Sequence, residues 1–136
     1  MPVEGQYETS VADREFVQKV WGQEEIIIND TDAGYCGKLL WLMPGAMSSL
    51  HYHPCKSETF LAMAGLVGVE YMPVGSEPRT TLLRSTGREA IQMPPNTAHR
   101  FWAEGDEPAL LVEFSTPHSD GDVVRLEESR AFKECT

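Results

Sequence analysis

Short runs of Val, Ile, Leu, Phe and Trp are broken at close intervals by Gly, Pro and Asn or Asp, a pattern that predicts an all-β chain with many tight turns. Strands are expected over residues 24–29, 37–43, 49–53, 59–64, 66–71, 80–84, 90–93, 98–103 and 109–115, with Gly65 as a tight turn. A further edge strand is expected over 123–126. Ser10 is followed three residues later by Asp13 and then by Phe16 and Val17, which predicts one short helix over 10–19. The chain before it reads as a loose arm, and the tail from Glu127 as a short helix or disordered. About nine short strands at this spacing require a barrel or sandwich with closed or protected edges. The expected organisation is an arm and helix over 1–19, a barrel over 20–126 and a tail over 127–136.

Composition narrows this picture. With 136 residues and 41% apolar content, the chain can build one well-buried core and is too short for two ordinary domains. Its longest apolar run, around 109–112, falls far short of the roughly 20 residues of a membrane helix, so no membrane partner is expected. A formal net charge of −10 lacks the basic footprint that nucleic acid or an anionic membrane demands. Arg79, Arg84, Arg88 and Arg100 fall in the second half, where two of them converging would serve one phosphate. Taken singly, they read as solvated surface charges. The segment MPVEGQYETS is acidic and polar, with neither a basic region nor an apolar core, and predicts no secretory signal. Cys36, Cys55 and Cys135 are odd in number and form neither a zinc-ribbon spacing nor a disulfide framework, so free thiols and a cytoplasmic location are expected.

The densest chemistry lies in 48–65. His51 and His53 are two apart, and on an extended strand both imidazoles then project from one side, as a chelate requires. Glu58 follows a bend at Pro54 and opens the run 59–64, so it can return on a neighbouring strand and face the same pocket. These are preferred ligand types for a divalent first-row metal. Cys55 lies among them and reads as a neighbour of the site rather than a ligand. His118, in a turn-rich polar segment, reads as a surface residue.

The spacing Gly45, five residues, His51-Tyr52-His53, four residues, Glu58, six residues, Gly65 resembles the first cupin motif at every interval. Pro94-Pro95-Asn96-Thr97-Ala98-His99 resembles the Pro-x-Gly-x-x-His core of the second, with Asn96 where Gly is usual, a mild departure because Asn tolerates the left-handed conformation. Gly87 is displaced by one position, and Ala103 replaces the usual terminal Asn. The resemblance implies a double-stranded β-helix, or jelly-roll barrel, whose lumen binds a divalent metal (Mn, Zn, Fe, Co or Ni) through His51, His53, Glu58 and His99. Residue spacing alone supports the first three, and His99 comes from the resemblance. Without metal, a lumen crowded with unpaired His and Glu costs several kcal/mol. Barrels of this type resemble homodimers formed by exchange of edge strands.

Further similarity, in Lys19-Val20-Trp21-Gly22, Lys38-Leu39-Leu40, the Leu50-His51-Tyr52-His53 run and the C-terminal Gly121-Asp122-Val123-Val124-Arg125-Leu126-Glu127, looks like the mannose-6-phosphate isomerase type of cupin and the related lyxose isomerases. The His53-Pro54-Cys55-Lys56-Ser57-Glu58 segment looks closer to the latter. This implies aldose–ketose isomerisation of a small sugar or sugar phosphate through an enediolate, with the metal as Lewis acid and a base carrying one proton between C1 and C2. Glu113 is the first candidate base, because it interrupts an apolar strand and burial there would raise its pKa. Lys56, inside the metal motif, is a candidate acid or substrate holder. Lys38 shares a face with Leu40 and Leu42 and reaches the lumen if that face is inside. Trp41, Phe101 and Trp102 read as core or dimer-contact residues, and Trp21 as a plug at one barrel end or an interface residue. Two other functions fit the same ligand set: an iron-dependent dioxygenase, and a non-catalytic metal- or sugar-binding module.

Overall fold

A computed structural model describes residues 9–131 of the chain, and those residues form thirteen strands and no helix. The strands are β1 (Glu15–Lys19), β2 (Gly22–Asp30), β3 (Tyr35–Leu42), β4 (Ala46–Met47), β5 (Leu50–Tyr52), β6 (Glu58–Ala64) and β7 (Leu66–Pro73). There follow β8 (Arg79–Arg84), β9 (Ile91–Met93), β10 (Thr97–Ala103), β11 (Ala109–Ser115), β12 (Val124–Glu127) and β13 (Arg130–Ala131). One sheet runs β1-β2-β3-β11-β6-β9; in the other, β10 pairs with β4, β5 and β7, with β8 beyond β7, β12 against β5 and β13 against β4. Every pairing is antiparallel, as in the expected jelly-roll barrel.

Register decides what the lumen contains. On β3 the inward residues are Cys36, Lys38, Leu40 and Leu42, and their partners on β11 are Ser115, Glu113, Leu111 and Ala109. Polar residues therefore gather toward one end and apolar residues toward the other. Glu58, Phe60 and Ala62 on β6 follow the same order, since Ser115 pairs with Glu58 and Glu113 with Phe60. Leu42, Phe60, Val67, Val69, Met93, Phe101 and Leu111 fill the apolar end. Burying each of them contributes roughly 1.5–3 kcal/mol.

Two turns depend on backbone conformations that few residues accept. Gly65 lies at φ +73, and a Cβ there would stand 2.7 Å from the Pro108 carbonyl oxygen, so the β6–β7 turn excludes any side chain. Asn96 is also left-handed, at φ 62. Its amide donates to the His53 carbonyl at 2.9 Å and its own carbonyl accepts from Val74 at 3.0 Å, so this turn ties both cupin motifs together. Within the second sheet Gly68 faces Trp102, whose ring occupies the space a Cβ would need.

The helix expected over 10–19 is absent, and residues 15–19 form β1 instead. Glu15, Phe16 and Val17 pair with Ile26, Glu25 and Glu24, so a ladder against β2 satisfies the backbone where the Ser10–Asp13 pattern suggested a cap. A helix there would have had no apolar stripe to bury. The edge strand expected over 123–126 is β12, paired with β5; the tail beyond it differs from expectation, because β13 forms and pairs with β4. The arm over 1–8, Cys135 and the end of the tail lie outside the described residues. The outer face of the first sheet exposes Phe16, Ile27, Tyr35, Trp41, Met63 and Phe114. No helix among the described residues is long and apolar enough to cross a membrane.

Asn96 gives a direct test of the turn. Asn96→Gly should leave stability within about 0.5 kcal/mol, whereas Asn96→Val should lower it by about 1–2 kcal/mol, because a β-branched side chain resists the left-handed region. Urea unfolding of the two variants measures the difference; equal midpoints would show that the turn relaxes out of this conformation.

Candidate metal centre

His51 on β5, His53 one residue beyond it and His99 on β10 converge inside the barrel, with His51 and His99 directly opposite in register. Their ring centroids are 4.7–5.9 Å apart. Each ring is turned by a hydrogen bond from Nδ1 to a backbone carbonyl. His51 bonds Ser49 at 3.0 Å, His99 bonds Thr97 at 2.9 Å and His53 bonds Asp122 at 2.7 Å. A neutral imidazole that donates through Nδ1 has a bare Nε2. The three ring-nitrogen ligand atoms lie within 4.8 Å of one another, close enough to share one metal ion.

Glu58 faces this cluster. Its Oε1 stands 3.3 Å from His53 Nε2 and 3.0 Å from His99 Nε2, yet Glu58 Oε1 and His99 Nε2 have no hydrogen-bond partner and both are buried. With Nδ1 of His99 committed to Thr97, a neutral His99 turns one acceptor toward another. Either a shared proton or a cation relieves such a pair, and the donor set present fits a divalent metal.

The rest of the lumen carries the charge. Lys56 Nζ is 2.9 Å from Glu113 and 3.3 Å from Glu58, and all three side chains are almost fully buried. Ser115 donates to the same Glu113 oxygen at 2.8 Å. Lys38, paired in register with Glu113, bonds Glu24 at 2.6 Å. Burial lifts the Glu113 pKa above the carboxylate range, and the Glu58 charge adds to the lift against the pull of Lys56 and Lys38. Burial also works to raise Glu58, but His99, Lys56 and His53 outweigh it and hold Glu58 low. Burial opposes the Lys56 cation, yet Glu113 and Glu58 overcome it and raise the Lys56 pKa. Burial lowers His51 to about 3, assisted by His99 and His53. These groups open onto a cavity of about 580 Å³.

The structure brings together all seven residues singled out by sequence: His51, His53, Glu58, His99, Glu113, Lys56 and Lys38 line this cavity. It also corrects one reading. His118 is not a plain surface residue: it lines the cavity, with Nδ1 3.5 Å from Lys56 Nζ and Nε2 3.1 Å from Asp120. Asn29 holds it there by bonding both its amide and its carbonyl. None of Arg79, Arg84, Arg88 and Arg100 lines the cavity. Arg100 alternates with His99 and points away from the lumen, but it is buried rather than a solvated surface charge, bonding the Ser48 carbonyl and Glu127. Trp21 is buried against the cavity, Phe101 packs 5.4 Å from His99, and Trp41 is partly exposed and bonds Glu25. Cys55 is exposed and Cys36 buried, both as free thiols. Spacing missed Glu24, Ser115 and Asp122; Glu24 lies opposite Leu40 and reaches Lys38 diagonally, and the polar step in β11 was the available signal for Ser115.

No protein-family profile matches the chain. Solved structures do: the capsular polysaccharide assembling protein CapF from Staphylococcus aureus matches with TM-score 0.72 and 17% identity, over 91% of this chain and 33% of that one. Oxalate decarboxylase from Bacillus subtilis, solved in a study of its Mn(II) centres, matches with TM-score 0.69 and 23% identity, over 82% of this chain and 30% of that one. With the two motifs wound into this barrel, the fold is settled. The chain has the cupin fold. The D-lyxose/D-mannose isomerase of Thermosediminibacter oceani is 33% identical over 121 aligned positions, covering 74% of this chain. The chain spans 65% of that isomerase's length.

The neutral state of His51 sets an acid limit on the metal-free protein. Its folded pKa of about 3 lies below the ordinary 6.5, so between these values the unfolded chain binds a proton that the folded one does not. Stability is then fully present above pH 6.5 and falls as pH drops. Glu58, lowered from 4.5, adds a loss of the same sign below that value. The urea midpoint of metal-free protein should therefore be lower at pH 5 than at pH 7, with His51→Asn reducing the slope. Glu113, with its raised pKa, acts with the opposite sign in both proteins, so a pH dependence left unchanged by His51→Asn would rule out His51 as a buried neutral base.

Proposed function

We propose that this cupin-fold protein is a metal-dependent aldose–ketose isomerase acting on a small unphosphorylated sugar. The observation that carries the reading is Glu113, a buried carboxylate of raised pKa that lines the same cavity as the histidine cluster and bonds Lys56 and Ser115. A group lifted in this way can take a proton from carbon and return it. The relative named as a D-lyxose/D-mannose isomerase supports the reaction class.

His51, His53, Glu58 and His99 would hold the metal. Nitrogen and oxygen donors of this kind suit Mn²⁺, Zn²⁺, Fe²⁺, Co²⁺ or Ni²⁺. A cation bound there supplies Lewis acidity toward the carbonyl and neighbouring hydroxyl of the open-chain sugar. Glu113 takes the proton from C2 of the aldose and returns it to C1, while the O2 proton passes to O1, so the ketose forms with no net gain or loss. The Lys56 ammonium, fixed beside Glu113, steadies the charge that develops on the substrate oxygens. Lys38 and Glu24 hold the far wall and offer a donor and an acceptor to further hydroxyls. Trp21, Leu40 and Phe101 exclude water from the floor.

Cation pairing supports a substrate without phosphate. The cavity is lined by Lys19, Lys38, Lys56 and Arg125, and each stands within 3.8 Å of a carboxylate. A phosphate would have to break one of these pairs, whereas sugar hydroxyls bond to them without doing so.

The test is to strip the protein, reload it with each metal, and incubate it with pentoses, hexoses and their phosphates in deuterated water. Conversion of a free aldose to its ketose is expected, with deuterium entering at C2 as the proton on Glu113 exchanges with solvent; the absence of both conversion and deuterium from every sugar would remove the isomerase reading. Glu113→Gln should lower conversion by about 10²–10⁴-fold while metal uptake persists. His51→Ala should abolish uptake and leave the barrel folded. A Glu113→Gln protein with undiminished turnover would remove Glu113 as the base.

A further inference from the structure

The three metal-facing imidazoles are oriented in two different ways. His51 and His99 each bond the carbonyl two residues before them, Ser49 just ahead of β5 and Thr97 at the start of β10. His53 has no such local partner: its Nδ1 bonds the carbonyl of Asp122, 69 residues further along the chain. The same residue also grips the loop between the ligands, because the two Asp122 carboxylate oxygens accept the amides of Cys55 and Lys56 at 2.9 Å each. Asp122 thus spans the loop at both ends, with its main chain on His53 and its side chain on 55–56.

We propose that Asp122 is a positioning residue that presets His53 for the metal and Lys56 for Glu113. The assignment rests on the metal centre proposed above. The loop from His53 to Glu58 is held at its His53 end by Asn96 and at Ser57 by Thr116; between them lie Pro54, which has no amide to donate, and the exposed Cys55, so Asp122 fixes the middle. A carboxylate that takes two consecutive amides fixes it at two points, and charge-assisted bonds of this kind are about twice as strong as neutral ones. On the other side, Asp122 opens the segment that leads into β12, where Val124 and Arg125 pair with Tyr52 and His51. Docking of this segment therefore completes the orientation of two ligands of one site, and the Gly121–Glu127 similarity acquires a physical role.

Asp122→Ala and Asp122→Asn test the proposal in the full chain. Cobalt serves as the probe: chelator competition reads its affinity and the visible spectrum reads ligand geometry. In parallel, ¹⁵N spectra of the metal-free protein report which His53 nitrogen carries the proton. Asp122→Ala keeps the carbonyl that accepts from His53 and removes the carboxylate that anchors the 55–56 amides; without that anchor the carbonyl and His53 should separate, and metal binding should weaken toward the about 10–100-fold loss of an outer partner. His53 should lose its single Nδ1–H form in the same variant. Asp122→Asn keeps one acceptor and should recover part of both; it also decides the matter if Asp122→Ala does not fold. Wild-type cobalt affinity together with an unchanged His53 tautomer in the variants would overturn the proposal. If the wild-type protein bound no cobalt but lost the tautomer on substitution, the metal reading would fall and the positioning role would stand.

Discussion

Three hydrogen bonds to backbone carbonyls determine what this lumen can do. An imidazole is symmetric enough to present either nitrogen, and only a fixed partner on one of them commits the other. Here Ser49, Thr97 and Asp122 each take an Nδ1 proton, so all three Nε2 atoms are left bare in one small volume. Because those acceptors are main-chain atoms, the ring orientations are properties of the barrel. Strand register supplies two of them, and the closing C-terminal segment supplies the third.

The charges around that cluster are unbalanced in a direction that matters. Glu58 and Glu113 are buried against a single ammonium, Lys56, while Lys38 is engaged with Glu24. One negative charge is left over, and a low-dielectric lumen will neutralise it by a proton or a cation. The rise in the Glu113 pKa is the proton solution, driven by burial and by the neighbouring Glu58 charge. A metal ion facing Glu58 offers the other, and it would reduce the repulsion that lifts Glu113. Metal occupancy and the protonation of Glu113 are therefore linked through Glu58, without direct contact between Glu113 and the ion.

Much of this was legible in the sequence, and the exceptions have two causes. Most strands were visible because turn residues punctuate them, though β1, β4 and β13 were not; His51, His53 and Glu58 were visible because they repeat at short range, and His99 came only from the resemblance to the cupin motifs. Glu113 could be picked out because a carboxylate inside Ala-Leu-Leu-Val-Glu-Phe needs a reason to be there. The helix expected over 10–19 failed because a cap signal was weighed without asking what the helix would pack on. In the structure that stretch gains a strand partner instead. His118 and Asp122 were hidden for a different reason. Both sit in polar turns that resemble ordinary surface, and their contacts with Asn29, Lys56 and the 53–56 loop span tens of residues in sequence. Local pattern reports which face a residue takes, whereas contacts of that length depend on how the barrel closes.

Function in such a barrel has to be argued from the residues around the metal. CapF and oxalate decarboxylase share the architecture at 17% and 23% identity, a level at which the likeness extends to the fold alone. Histidines facing an ion suit proton transfer and oxygen chemistry equally well, so the ligand set does not choose between them. The choice comes from the second half of the lumen. A carboxylate of raised pKa beside an ammonium is equipped to move protons between carbons, and it confers no evident advantage on a site for activating oxygen. Lys38 with Glu24 and Lys19 adds alternating donors and acceptors at the wall, the surface that a polyhydroxylated chain can meet without desolvating an unpaired charge. It is therefore the residues beyond the histidines, on β2, β3 and β11, that favour a sugar and an isomerisation over the other chemistries this fold supports.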